Sequence, residues 1–254
     1  MARYPSPSPR SIAFQFGPGP MTAVVKLLIW ANVACFVGAW LLQVVGGISV
    51  LGLLGLRPES VLRGFWVWQP VTYMFLHAGL FHILFNMLAL WMFGVELERL
   101  WGRTFFLKYY FVTGVGAAVA TLILSLVPIG FGELLWNTVT VGASGAVYGL
   151  LLAYALYFPD RPIYIMALFP VPARYFVVIM GGIALMSSVG GDQGGVANIA
   201  HLGGLLFGYL YLRVWRTRPL AEIKYRYVKW RMNRLRRKFD VHTGGRNDWD
   251  RHVH

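Results

Sequence analysis

Val141-Gly142-Ala143-Ser144-Gly145-Ala146-Val147-Tyr148-Gly149 opens an apolar run that continues to Phe158. It sets one hydroxyl, Ser144, among residues with almost no bulk. A stretch of this length and apolarity is a membrane-spanning helix candidate. Its surroundings agree. The chain has 254 residues, of which 57% are hydrophobic and only 13% charged, and its mean hydropathy is +0.57. A soluble domain carries about a quarter charged residues. These features predict an all-α, polytopic membrane protein.

Working outward, apolar runs predict six spans, at about 21–45, 71–94, 105–127, 140–158, 175–189 and 196–215. Residues 1–20 are rich in Pro, Ser and Gly and read as a flexible tail. The stretch 46–70 is broken by Gly47, Gly52, Gly55, Pro58 and Glu59, and its Trp66 and Trp68 suit a loop at the membrane interface. Between the fourth and fifth spans, Ile163 to Phe169 is too short to cross and is expected along the surface. Residues 190–195 read as a flexible loop that could cap a cavity, with the fifth span as a gate. The predicted organisation is therefore a tail at 1–20, a membrane domain at 21–215 and a basic tail at 216–254. Cys35 is the sole cysteine, so neither a disulfide nor a cysteine metal site is possible within one chain.

The formal net charge is +13. Its distribution points to membrane orientation and not to nucleic acid. With six spans, Arg3, Arg10, Lys26, Arg99, Arg103, Lys108, Arg161, Arg174 and everything from Arg213 onward share one side, and only Arg57 and Arg63 face the other. The positive-inside rule then makes both termini cytoplasmic, in a cell membrane of prokaryotic type. The tail from Arg213 is expected to touch anionic lipid headgroups.

Polar residues inside a membrane are costly and tend to be functional. None of the ten carboxylates falls in the middle of a predicted span. That argues against an aspartyl protease and weakens a proton-coupled transporter. No His-Glu-x-x-His string is present for a zinc protease. His77, His82, Asn86, Ser144, Asn198 and His201 remain. His82 and Asn86 lie four apart and share a helix face, whereas His77 points elsewhere or sits at the helix entry. Gly145 and Gly149 form one small face, and His201, Gly204 and Gly208 form another, so spans four and six can approach closely. With cytoplasmic termini, all these groups lie near the outer ends of their spans, with Ser144 about 6 Å inside its helix.

A serine becomes a nucleophile when a base takes its proton, and histidine is the usual base. With no carboxylate to orient His201, a Ser144–His201 dyad is expected, the imidazole packed on Tyr148. His82, Asn86 and the Ser144 amide are available as oxyanion donors. Gly142 and Gly145 allow the backbone to come close.

These residues resemble the rhomboid family of intramembrane serine proteases. The likeness rests on His77-x4-His82-x3-Asn86, Gly94-x3-Glu98-x3-Gly102, Gly142-Ala-Ser144-Gly145 with Tyr148, and Ala200-His201-x2-Gly204-x3-Gly208. It implies a six-helix rhomboid-like bundle with an interfacial first loop. It implies Ser144 as nucleophile, His201 as general base, a structural hydrogen-bonding role for Glu98, and no metal or other cofactor. The implied substrates are transmembrane segments of other membrane proteins, cleaved near the outer face. Trp68-Gln69-Pro70 resembles a first-loop motif in which arginine commonly follows the tryptophan. Rival readings are a non-catalytic rhomboid-like protein that binds or escorts membrane clients, and a small-solute transporter.

Overall fold

The computed structural model describes residues 17–128, 130–165, 168–189 and 193–217, together with Lys229, Trp230, Met232 and Arg234. In chain order its helices are α1 (Ala23–Gly46), the short α2 (Leu51–Leu54), α3 (Pro58–Leu62) and α4 (Gln69–Thr72), a 3-10 turn at Tyr73–Phe75, α5 (Leu80–Trp101), α6 (Arg103–Ser125), α7 (Gly130–Asn137), α8 (Ser144–Tyr157), α9 (Ala173–Val189) and α10 (Gln193–Thr217). Two strands, β1 (Pro162–Ile165) and β2 (Phe169–Pro172), pair antiparallel between α8 and α9. The chain forms two units, Met1–Tyr211 and Leu212–His254. Of the second, the described residues are the end of α10 and the four named above, where the Arg234 guanidinium lies 5.5 Å from the centre of the Trp230 ring. The rest of the basic tail predicted at 216–254 lies outside the described residues.

Helices α1, α5 and α6 are long and apolar enough to cross a membrane, and α8 and α9 are shorter apolar helices. Helix α1 ends at Gly47, whose φ of +64° allows its N–H and that of Ile48 to close back on the carbonyls of Gln43 and Leu42. Its other end is capped from a distance. Glu98 of α5 is buried and accepts the N–H groups of Val24 (3.1 Å) and Val25 (3.0 Å), and the hydroxyl of Thr22. An anion at a helix N-terminus satisfies otherwise orphaned donors and complements the helix dipole. Residues 17–20, the end of the predicted tail, lie against α5: Trp91 Nε1 donates to the Gly19 carbonyl, and Arg99 donates to those of Pro18 and Pro20.

The second predicted span, at 71–94, is displaced. Val71 to Phe75 is apolar but forms the end of α4 and the 3-10 turn, and the helix runs from Leu80 to Trp101. The chain is diverted because Tyr73 serves two other elements: its hydroxyl donates to the Gly114 carbonyl at 2.6 Å, and its own carbonyl receives the Gly142 N–H at 2.9 Å. Within the predicted surface stretch Ile163–Phe169, residues 163–165 belong to β1 and Phe169 opens β2, its antiparallel partner, while 166 and 167 lie outside the described residues. Residues 193–195, expected in a loop, belong to α10, and 190–192 lie outside the described residues.

The segment before α5 is tied down by Gln69, which is fully buried. Its Oε1 accepts the Arg57 N–H at 3.0 Å, and its Nε2 donates to the Gly52 and Leu53 carbonyls at 3.3 Å each. Trp68 Nε1 also donates to Leu53, and the Thr72 hydroxyl to Leu54. One neutral amide thus supplies both acceptor and donor here. An arginine would have only donors to offer and would leave the Arg57 N–H without this acceptor.

Candidate active site

Ser144 is the first residue of α8, not a turn inside it. The backbone that delivers it is held from outside. Leu56 and Thr140 exchange a pair of backbone hydrogen bonds at 2.9 and 2.8 Å, and Gly142 is anchored to Tyr73. Gly142 has a φ of +124°, a conformation open to glycine. A Cβ there would come 2.8 Å from His82 Nε2, so the imidazole of His82 lies directly on this backbone.

His201 reaches the same place through helix contact. A Cβ on Gly204 would sit 1.9 Å from the Gly145 carbonyl oxygen, and one on Gly145 would sit 3.3 Å from the Ala200 carbonyl. One turn along, a Cβ on Gly208 would lie 3.3 Å from Gly149 Cα. Helices α8 and α10 therefore touch backbone to backbone along the two predicted small faces. Ser144 and His201 flank that contact, and both line one cavity. The His201 ring lies flat on Tyr148, with centroids 4.2 Å apart and planes 5° from parallel.

Each ring nitrogen has an assignable role. Asn198, one turn before His201, sets its side-chain oxygen 3.2 Å from His201 Nδ1. An acceptor there favours the tautomer with the proton on Nδ1 and a free lone pair on Nε2. His82 is the reverse. Its Nδ1 accepts the Ala78 N–H at 3.4 Å, which leaves the proton on Nε2, the nitrogen facing Gly142. One imidazole is set to accept a proton and the other to donate a hydrogen bond. Asn86 uses one of its two side-chain N–H groups on the His82 carbonyl at 2.8 Å, so a second remains at the cavity wall.

His77 precedes α5 and is buried. Its ring meets that of His82 edge-on at 5.1 Å. It packs behind His82 and is not among the residues lining the cavity. Glu98 lies at the far end of α5 and belongs to the α1 cap. Asn198 is the contact that sequence reasoning left without a role. Its i, i+3 spacing from His201 was the available signal.

The cavity has a volume of about 580 Å³ and runs from Ser144 and His201 between α5, α8 and α9. Its polar groups cluster at the Ser144 end, and the remainder is lined almost entirely by carbon. A hydroxyl, a base and hydrogen-bond donors at the mouth of an apolar groove form an arrangement suited to acyl transfer on an apolar peptide.

The chain is similar to proteins already known. The Rhomboid domain family matches residues 65–218. The chain is 32% identical over 157 residues to rhomboid protease AarA of Providencia stuartii, covering 59% of this chain and 56% of that protein. It is 30% identical over 176 residues to rhomboid protease GluP of Bacillus subtilis, covering 67% and 31%. With the mitochondrial rhomboid protein 1 of Saccharomyces cerevisiae it shares 33% identity over 138 residues, covering 54% and 38%. The chain thus spans little more than half the length of the first of these relatives and less of the others.

Proposed function

The chain belongs to the rhomboid family, and on that premise we propose that it is an intramembrane serine endopeptidase acting through a Ser144–His201 dyad. The observation that carries this reading is His201 held flat on Tyr148, with Nδ1 engaged by Asn198, beside the α8–α10 contact that begins at Ser144. His201 Nε2 takes the Ser144 proton as Oγ attacks the scissile carbonyl. The oxyanion is held by His82 Nε2–H, the free N–H of Asn86 and the Ser144 amide. The imidazolium then protonates the leaving amine, and water activated by His201 hydrolyses the acyl-enzyme. No step calls for a metal or other cofactor.

The substrates are transmembrane segments of other membrane proteins. The bundle crosses the membrane six times with both termini cytoplasmic, and Ser144 lies toward the outer face. Phe65, Val67 and Trp68 are exposed in the segment before α5, which supports an interfacial first loop. The domain bounds are 1–20, 21–215 and 216–254, with the basic tail against anionic headgroups.

The test is labelling by a fluorophosphonate together with cleavage of a panel of single-span proteins. Labelling at Ser144 and Ser144-dependent cleavage are expected. An inert Ser144 in folded protein would favour the client-binding alternative. Asn198→Ala is expected to lower kcat by about tenfold with little change in KM, because only the tautomer and aim of His201 are disturbed. Steady-state kinetics on one cleaved substrate checks this.

A further inference from the structure

Helices α6 and α10 touch along their middle. A Cβ on Gly116 would run into the Phe207 ring, and one on Gly203 would lie 2.7 Å from Ala120 Cβ. One turn nearer the start of α6 the two helices leave a gap. There Leu107, Lys108, Phe111 and Val112 face Tyr211 of α10 across a cavity of about 350 Å³. That volume lies at the small end of ligand pockets. It is too narrow for another helix, which is about 10 Å across. The cavity shares no residue with the groove at Ser144.

Its walls are carbon except at the Lys108 ammonium and the Tyr211 hydroxyl. Lys108 is exposed, and among the described residues it has no carboxylate partner. Glu59, Glu96 and Asp160 pair with arginines, and Glu98 caps α1. Lys108 stands five residues into α6, a rise of about 7.5 Å, and Tyr211 stands six residues before the end of α10, about 9 Å. The two polar groups are thus at matching depth. The Tyr211 ring packs on Phe105 (5.7 Å between centroids) and Tyr109 (6.0 Å), and Trp101 meets both of those edge-on at 4.9 and 5.0 Å. Tryptophan and tyrosine gather at the headgroup level of a bilayer. A cation at that level is costly unless an anion meets it, and the bilayer can supply one.

We propose that this cavity seats one anionic phospholipid, with its phosphate on Lys108 and the Tyr211 hydroxyl and the upper part of one acyl chain against Phe111 and Val112. Basic pockets between membrane helices select anionic headgroups in this way. A zwitterionic lipid brings its own cation to the same place and gains less from Lys108. On the orientation proposed above, the lipid belongs to the cytoplasmic leaflet. It bridges α6 and α10, so its binding also stabilises the fold by mass action.

The experiment uses the purified, delipidated full-length protein in detergent micelles. Phosphatidylglycerol or phosphatidylcholine is titrated in, and bound lipid is counted by native mass spectrometry alongside thermal unfolding. One phosphatidylglycerol per chain binds at least about tenfold more tightly than phosphatidylcholine and raises the melting temperature. Lys108→Gln weakens phosphatidylglycerol by about tenfold and leaves phosphatidylcholine unchanged. Val112→Trp fills the cavity but keeps the charge, and it also weakens phosphatidylglycerol by about tenfold. Melting of each variant without lipid checks that it is folded, and Lys108→Gln alters an exposed side chain only. Lipid held by the basic tail is indifferent to both changes. Phosphatidylglycerol affinity unchanged by Lys108→Gln overturns the proposal. So does affinity unchanged in folded Val112→Trp protein, which would mean attraction to a surface charge without a seat. Equal affinity of the wild type for the two lipids overturns it as well.

Discussion

Ser144→Ala abolishes cleavage of a single-span substrate, lowering turnover by at least about a thousandfold, and His201→Ala does the same. The double variant is no worse than either single one, because nucleophile and base act as a unit and removing one disables the other. Ser144 is the first residue of α8, where loss of its hydroxyl leaves the Leu56–Thr140 bridge and the Gly145–Gly204 contact intact. The Ser144→Ala protein therefore keeps its thermal transition and still captures substrate. His201→Ala loses the Tyr148 stack and melts slightly lower. Gel-based cleavage, substrate pull-down and thermal unfolding in detergent separate these effects. Normal cleavage by purified Ser144→Ala protein would rule out the mechanism, and retained client binding with no activity in the wild type would favour the escort alternative.

Gly204→Ala has the second large effect. Its new Cβ would meet the Gly145 carbonyl oxygen at 1.9 Å and the carbonyl carbon at 2.8 Å. Both are backbone atoms, which cannot swing aside as a flexible side chain does, so α8 and α10 must move apart by about an ångström. A displacement of that size between reacting groups lowers the rate by about a hundredfold. Such overpacking destabilises by about 1–3 kcal/mol. Gly182→Ala on α9 is the control, since nothing lies within 4 Å of a Cβ there. It should leave both cleavage rate and melting temperature unchanged, and equal rates for the two variants would refute the helix-contact argument.

The parts of the site that were legible in the sequence are those governed by helical periodicity. Tyr148 one turn after Ser144, Asn86 one turn after His82, and the Gly204–Gly208 stripe beside His201 follow from residue spacing alone; the structure brings the first two pairs and His201 to one groove and packs the stripe on α8. Long apolar runs likewise marked α1 and α6 to within a few residues. What escaped has no period. Hydropathy cannot tell that Val71–Phe75 is the end of α4 and a 3-10 turn, bonded through Tyr73 to Gly114 and Gly142, and not the first turn of α5. It cannot reveal that Glu98 caps a helix more than seventy residues earlier in the chain. Nor does it give the pairing of β1 with β2, because four-residue strands rich in proline carry almost no alternation. Gln69 illustrates the limit of motif reading: a departure from the expected arginine is answered by three hydrogen bonds that only an amide can make together.

The Leu56–Thr140 bridge also bears on how the protein assembles. It joins backbone groups about eighty residues apart, across the whole of α5 and α6. Closing so long a loop is slow, since its entropy must be lost before the contact returns anything. The approach to Ser144 therefore locks late in folding, after the first helices have packed, and it is among the first regions to loosen on heating. Activity should disappear below the temperature at which helicity does, so that an incompletely assembled chain has its helices in place before it can cut.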